Sequence, residues 1–263
     1  MKIFETHAHY DDEQFDNDRS ILLPQIIAGG VSPIINVGAT MRGTYASVKM
    51  AEEYDDIYAA VGIHPSEYKD FNEETIGILR NLSKNPKVVA IGEIGLDYYW
   101  DKDESVQKFQ REIFKRQIRL AKEVGLPIIV HSRDAAKDTF DIINEEAAAG
   151  LKGVVHCYSG SVEMAREYVK MGFYIGVGGV VTFKNAKTLV NVVEDIPLTS
   201  ILLETDSPYM APTPHRGERN DSSYLTLVAG RIAELKGTTA EEVVEITRNN
   251  AFLLFGKVPK DNE

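Results

Sequence analysis

The 263-residue sequence predicts an α/β chain folded as a (β/α)8 TIM-like barrel, and three observations carry that expectation. Short apolar runs rich in Val and Ile recur eight times, with helical stretches between them. Eight such units occupy about 250 residues, the length of this chain. Side chains able to bind a metal follow these runs at both ends of the sequence, so the first and last strands must meet.

The runs are Lys2 to Glu5, Pro33 to Gly38, Ile57 to Ile63, Val88 to Gly92, Pro127 to His131, Gly153 to His156, Phe173 to Val177 and Ile201 to Thr205. Their shortness and β-branched content favour buried strands over helix fragments. The clearest helix runs from about Ser105 to Val124, with an apolar stripe at Val106, Phe109, Ile113, Leu120 and Val124. Gly125 ends it and Pro127 prevents its continuation. A second spans Asp134 to Ala149 with Asp134 as its cap, and a third spans Ser161 to Met171 with Ser161 as N-cap. The last two run from Ser223 to Leu235 and from Thr239 to Phe255, the latter opening on the capping-box pattern Thr239-x-x-Glu242. No linker, low-complexity segment or repeat interrupts the chain, which reads as one domain over residues 1–263. A doubly wound open sheet fits the alternation but does not easily bring His7 and Asp206 together.

Bulk properties narrow the function. A hydrophobic fraction of 43% supports a globular core. No apolar stretch approaches the roughly 20 residues of a membrane span. One cysteine, Cys157, excludes an internal disulfide and fits a reducing, cytoplasmic setting. Candidate ligands as early as His7 and His9 argue against a cleaved leader. The net charge of −11 disfavours a module that grips nucleic acid by a broad basic face. It leaves room for an enzyme whose metal ions supply positive charge locally.

All six histidines follow apolar runs or lie in the loop after one: His7, His9, His64, His131, His156 and His215. Glu93 and Asp206 share the habit. In a strand, residues two apart share a face. Glu5, His7 and His9 share parity, as do Val89, Ile91 and Glu93, then Ile129 and His131, Val154 and His156, and Leu202, Glu204 and Asp206. Apolar or buried residues deep in a barrel would thus be capped by polar groups at the C-terminal rim, where barrel enzymes hold their active sites. One strand-end histidine is ordinarily a hydrogen-bonded structural residue. Four histidines and two carboxylates from five strand ends are a metal-ligand set, since buried carboxylates without a cation are costly. Six donors exceed the needs of one tetrahedral ion and suit two ions with a bridging carboxylate.

The segments Glu5-Thr6-His7-Ala8-His9, Gly62-Ile63-His64-Pro65, Gly92-Glu93-Ile94-Gly95-Leu96-Asp97-Tyr98, Pro127-Ile128-Ile129-Val130-His131-Ser132-Arg133, His156-Cys157-Tyr158-Ser159-Gly160 and Leu203-Glu204-Thr205-Asp206-Ser207-Pro208-Tyr209 together resemble TatD-family metal-dependent hydrolases. The resemblance covers essentially the whole chain in order. It implies a metal-dependent hydrolase barrel, DNA hydrolysis of the 3′ to 5′ exonuclease type, and two divalent ions (Zn, Mn, Mg, Co or Ni). It further implies that His7, His9 and Asp206 hold one ion and His131 and His156 the second, with Glu93 bridging. Glu5 stands where the family often has Asp. The family's late Arg-Gly-x-Arg-Asn segment usually continues with an acidic residue and Pro, whereas here Arg216-Gly217-Glu218-Arg219-Asn220-Asp221 is followed by Ser222.

Asp206 is the expected proton acceptor for the attacking water, and His64 the residue touching the phosphate or assisting the leaving group. Arg133, His215, Arg216 and Arg219 are expected phosphate contacts, because guanidinium forks suit phosphate oxygens. Tyr98, Tyr99 and Trp100 form an aromatic loop able either to stack bases or to pack locally. The expected partner is DNA or the 3′ end of tRNA, with no membrane and no obligate protein partner. The same site fits a D-aminoacyl-tRNA deacylase as the alternative. A small-molecule amidohydrolase fits less well, since such enzymes often bridge their ions with a carboxylated lysine and Glu93 holds that position here.

Overall fold

A computed structural model describes residues 2–146 and 150–260. Eight parallel strands follow one another around the sheet in sequence order: β1 (Ile3–Ala8), β2 (Val31–Val37), β3 (Ile57–Val61), β4 (Val88–Asp97), β5 (Ile128–Arg133), β6 (Gly153–Val155), β7 (Tyr174–Val177) and β8 (Ile201–Leu203). The helices between and after them are α1 (Arg19–Ala28), α2 (Met41–Glu53), α3 (Glu73–Leu82), α4 (Glu104–Val124), α5 (Ala136–Glu146), α6 (Val162–Lys170), α7 (Lys187–Asp195), α8 (Leu225–Lys236) and α9 (Ala240–Leu254). This is the expected parallel barrel, nearly closed. The seam between β8 and β1 is joined just beyond the end of β8. Asp206 N–H donates to the His7 carbonyl at 3.0 Å and His9 N–H donates to the Ser207 carbonyl at 2.8 Å, with Ala8 bridged in parallel to Ser207.

The helix signals act as expected where side chains reach the backbone. Asp103 accepts from Ser105 N–H (2.7 Å) to start α4, and Gly125 ends it at φ +69°. Ser161 accepts from Met164 N–H (3.2 Å) at α6. Thr239 accepts from Glu242 N–H (3.2 Å) at α9, but the Glu242 carboxylate bonds the Thr238 hydroxyl, so the expected box is only half made. Asp134 does not open α5; it has φ +54° and the helix starts at Ala136. The end expected for that helix, residues 147–149, lies outside the described residues.

Strand extents differ in an informative way. β1 and β4 run further than their apolar runs, so His7, Glu93 and Asp97 lie inside strands. Both strands also carry register irregularities, between Ile3 and Ala8 in β1 and between Ile91 and Ile94 in β4. In consequence Ile91 packs in the strand–helix layer with Ile94 and Leu96, not below Glu93 as simple alternation predicts. Gly95, at φ +148°, lets β4 lie against β5 at His131, whose carbonyl a β-carbon there would strike.

The buried apolar residues form two bodies. One lies between strands and helices. The other gathers Phe4, Ile35, Val89, Ile129, Val154 and Leu202 from the strands with Phe252 and Phe255 of the chain's last turns. Phe252 meets Phe4 edge-on at 5.2 Å, and Asn250 Nδ2 donates to the Ile201 carbonyl at 2.9 Å. α9 thus seals the end at which the strands begin, leaving the opposite rim for chemistry. Among the described residues no helix is long and apolar enough to cross a membrane.

Candidate metal centre

At the rim, Glu93 is the hub. It is 3% exposed, and its two oxygens face different partners. Oε2 lies 3.5 Å from His7 Nε2 and 3.6 Å from His9 Nε2. Oε1 lies 2.9 Å from His131 Nδ1 and 3.1 Å from His156 Nε2. Asp206 Oδ1 completes the first group, 3.7 Å from His7 Nε2 and 3.5 Å from His9 Nε2. The six side chains expected as ligands therefore converge. His7 and His9 leave one strand as an i, i+2 pair with their Nε2 atoms 3.1 Å apart, and the His7 ring stacks on His156 at 3.8 Å.

Several contacts fix which nitrogen faces inward. His9 Nδ1–H donates to the Val37 carbonyl (2.7 Å), leaving Nε2 for the site. Asp97 Oδ2 sits 3.0 Å from His131 Nε2, turning Nδ1 toward Glu93. Glu204, behind His156, lies 3.6 Å from its Nδ1 and accepts from Cys157 N–H. Carboxylates and carbonyls behind imidazoles set tautomer and basicity in metal sites. Glu5 acts on the backbone instead. Its carboxylate accepts from His7 N–H (3.1 Å), Thr205 N–H (3.0 Å) and the Thr205 hydroxyl (2.7 Å), locking the start of the seam. Burial pushes the Glu5 carboxyl up to about 7, against the lowering effect of those donors.

The charge pattern suits cations. Burial opposes charge on both Glu93 and Asp206, yet the surrounding imidazoles hold both carboxylates below their ordinary values. Imidazole and carboxylate donors in this ratio favour zinc, manganese, cobalt or nickel over calcium. His64 differs from the others. Its Nδ1 accepts from Ser66 N–H (3.1 Å), so neutral His64 carries its proton on Nε2, 3.7 Å from Glu93 Oε1. Burial, with His131 beside it, pushes its pKa down to about 3.

The centre opens into a cleft of about 620 Å³ lined by His9, His64, Glu93, His131, His156 and Asp206, with Arg133, Tyr209 and Met210 around them. Of the expected substrate contacts, Arg133 is on this lining. The other four are not. The Tyr98 hydroxyl bridges Asp138 Oδ2 (2.8 Å) and Arg111 (2.9 Å). Arg219 forks onto Asp18 and also binds the Gln14 carbonyl. His215 stacks on Tyr224 at 4.3 Å and pairs with Glu218, and Arg216 lies over Phe183. Asp97 is the site residue that reading the histidines overlooks. Its signal was available: it shares parity with Glu93 in one strand.

A barrel of this topology with such a rim defines a metal-dependent hydrolase. The model of the TatD-related DNase family matches residues 4–256, and the chain belongs to that family. It is 49% identical over 253 residues to the uncharacterized metal-dependent hydrolase YabD of Bacillus subtilis, covering 96% of this chain and 98% of the relative. It is 36% identical to the uncharacterized metal-dependent hydrolase YcfH of Escherichia coli, covering 97% of this chain and 96% of the relative. The crystal structure of YjjV, a TatD homologue from Escherichia coli, superposes with a TM-score of 0.90 at 32% identity, covering 98% of each chain.

Proposed function

We propose that the protein hydrolyses phosphodiester bonds of DNA, working inward from a 3′ end, with two divalent ions per chain. The observation that carries this reading is the division of Glu93, one oxygen toward His7 and His9 and the other toward His131 and His156. His7, His9 and Asp206 would hold one ion, His131 and His156 the other, and Glu93 both. Such ions supply Lewis acidity at a phosphoryl oxygen and bring the pKa of a water toward about 7.

The chain's own residues do the rest. Asp206 accepts the proton of the attacking water as the new P–O bond forms and the P–O bond to the leaving sugar oxygen breaks. The leaving oxygen takes its proton from solvent. His64 donates Nε2–H to a non-bridging phosphate oxygen; with its pKa pushed down to about 3 it serves as a neutral donor and not as a proton source. Asp97 holds the imidazole of His131 in place, and the Glu204 carboxylate stands 3.6 Å behind that of His156. The family's DNase description supports the substrate class.

The test is turnover of 3′-labelled single-stranded DNA beside D-aminoacyl-tRNA, with Glu93→Ala as the blank. Nucleotides released stepwise from the labelled end are expected. Cleavage of the aminoacyl ester without DNA turnover would replace this reading with the deacylase.

A further inference from the structure

Trp100 is the single tryptophan of the chain, and it is 68% exposed beside the cleft. An indole left in water forgoes a large burial gain, and among the described residues the ring Nε1–H, unlike the backbone N–H, has no hydrogen-bond partner. Its neighbours are ordered around it. Tyr99 meets it edge-on at 4.7 Å, and the Arg133 guanidinium lies 3.9 Å over the Tyr99 ring and 5.6 Å from that of Trp100. Arg133 is the one arginine or lysine on the cleft lining, and no carboxylate pairs with it among the described residues. Elsewhere on the surface Arg111, Arg116, Arg166 and Arg219 are paired with carboxylates.

The loop is fixed relative to the metal centre by one carboxylate. Asp97 Oδ1 accepts from Tyr99 N–H (2.9 Å) and Trp100 N–H (3.4 Å), while Oδ2 lies 3.0 Å from His131 Nε2. The group that turns a metal ligand therefore also sets the position of the indole. In a chain of net charge −11, a polyanion must be held by local contacts. Stacking supplies one that costs no charge, and every base offers a π face.

We propose that Trp100 and Arg133 form a nucleotide subsite next to the scissile bond, the indole stacking on a base and the guanidinium binding the adjacent phosphate. This rests on the nuclease reading above and adds the residues that select a nucleotide over a bare phosphodiester.

The sole tryptophan makes the test direct. Titration with a hydrolysis-resistant phosphorothioate hexathymidylate should quench the intrinsic fluorescence saturably. The same oligomer with abasic residues in place of thymidines should bind more weakly and quench little. Trp100→Ala and Arg133→Ala should each raise KM for hexathymidylate by about tenfold with kcat within twofold, and Trp100→Phe should recover most of the loss. Both alanine variants should keep wild-type metal content, which separates a lost subsite from a disrupted centre. Equal quenching by the abasic oligomer, or an unchanged KM in both variants, would overturn the subsite while leaving nuclease activity standing. Absence of DNA turnover by the wild type would instead strike the nuclease reading itself.

Discussion

The two ends of this barrel are built from opposite materials. At the end where the strands begin, Phe4, Phe252 and Phe255 sit in apolar contact with Val89, Val154 and Leu202. Toward the other end, three of the same strands deliver His7, Glu93 and His156, almost as deeply buried but charged or titratable. Burying apolar surface stabilises a fold, whereas burying carboxylates and imidazoles costs stability unless they are paired. The floor holds the barrel together so that the rim can keep groups that, without a cation, work against folding.

Four substitutions would break or sharpen that contrast, given from the largest effect to the smallest. Glu93→Ala should lower hydrolysis at least about 1,000-fold, since it removes the donor common to both groups of ligands. Elemental analysis should find no ion, or one weakly held; activity within twofold of wild type would sink the bridging role. Phe252→Ala should cost about 3 kcal/mol of unfolding free energy, read by urea denaturation. Metal content of the folded protein should stay unchanged, and a loss of metal would show that the two ends are not separable. His64→Ala should lower kcat on the order of 100-fold, as loss of a preorganised donor does, with metal retained. Loss of metal would make His64 a ligand.

The smallest effect lies on the outer surface. Glu146 is opposed by partial burial but held below its ordinary value of 4.5 by Arg119 and Lys122. A depressed carboxyl contributes stability above its unfolded pKa and loses it as pH falls through the folded one. Glu146→Gln should therefore cost less than about 1 kcal/mol at pH 7, because Arg119 is largely exposed. The difference should vanish as the pH drops well below 4.5; a difference persisting at acid pH would mean packing, not charge.

Legibility in the sequence follows the regularity of the strands. In β5, β6 and β8 the alternation is simple, so Ile129 beneath His131, Val154 beneath His156 and Leu202 beneath Glu204 could be read off directly. In β1 and β4 the register irregularities shift the column, and the interior residue Phe4 has the opposite parity to His7. α1 carries Pro24 inside it and has no side-chain cap, so the sequence scarcely announces it. The rim loops were least legible. Whether an arginine is free for substrate depends on partners distant in the chain, as with Arg219 and Asp18, some 201 residues apart. Asp97 could have been found from its parity with Glu93, but its hold on His131 is a contact across strands.

The seam between β8 and β1 bears on how the protein comes into being. The backbone of Asp206 bonds that of His7, and the backbone of His9 bonds that of Ser207. A chain emerging from a ribosome presents His7 and His9 long before Asp206. Until then the early histidines lack their carboxylate, and the barrel lacks the strand that holds them in place. The proposed ligand set and ring closure thus arrive together, and a chain interrupted before residue 207 carries neither.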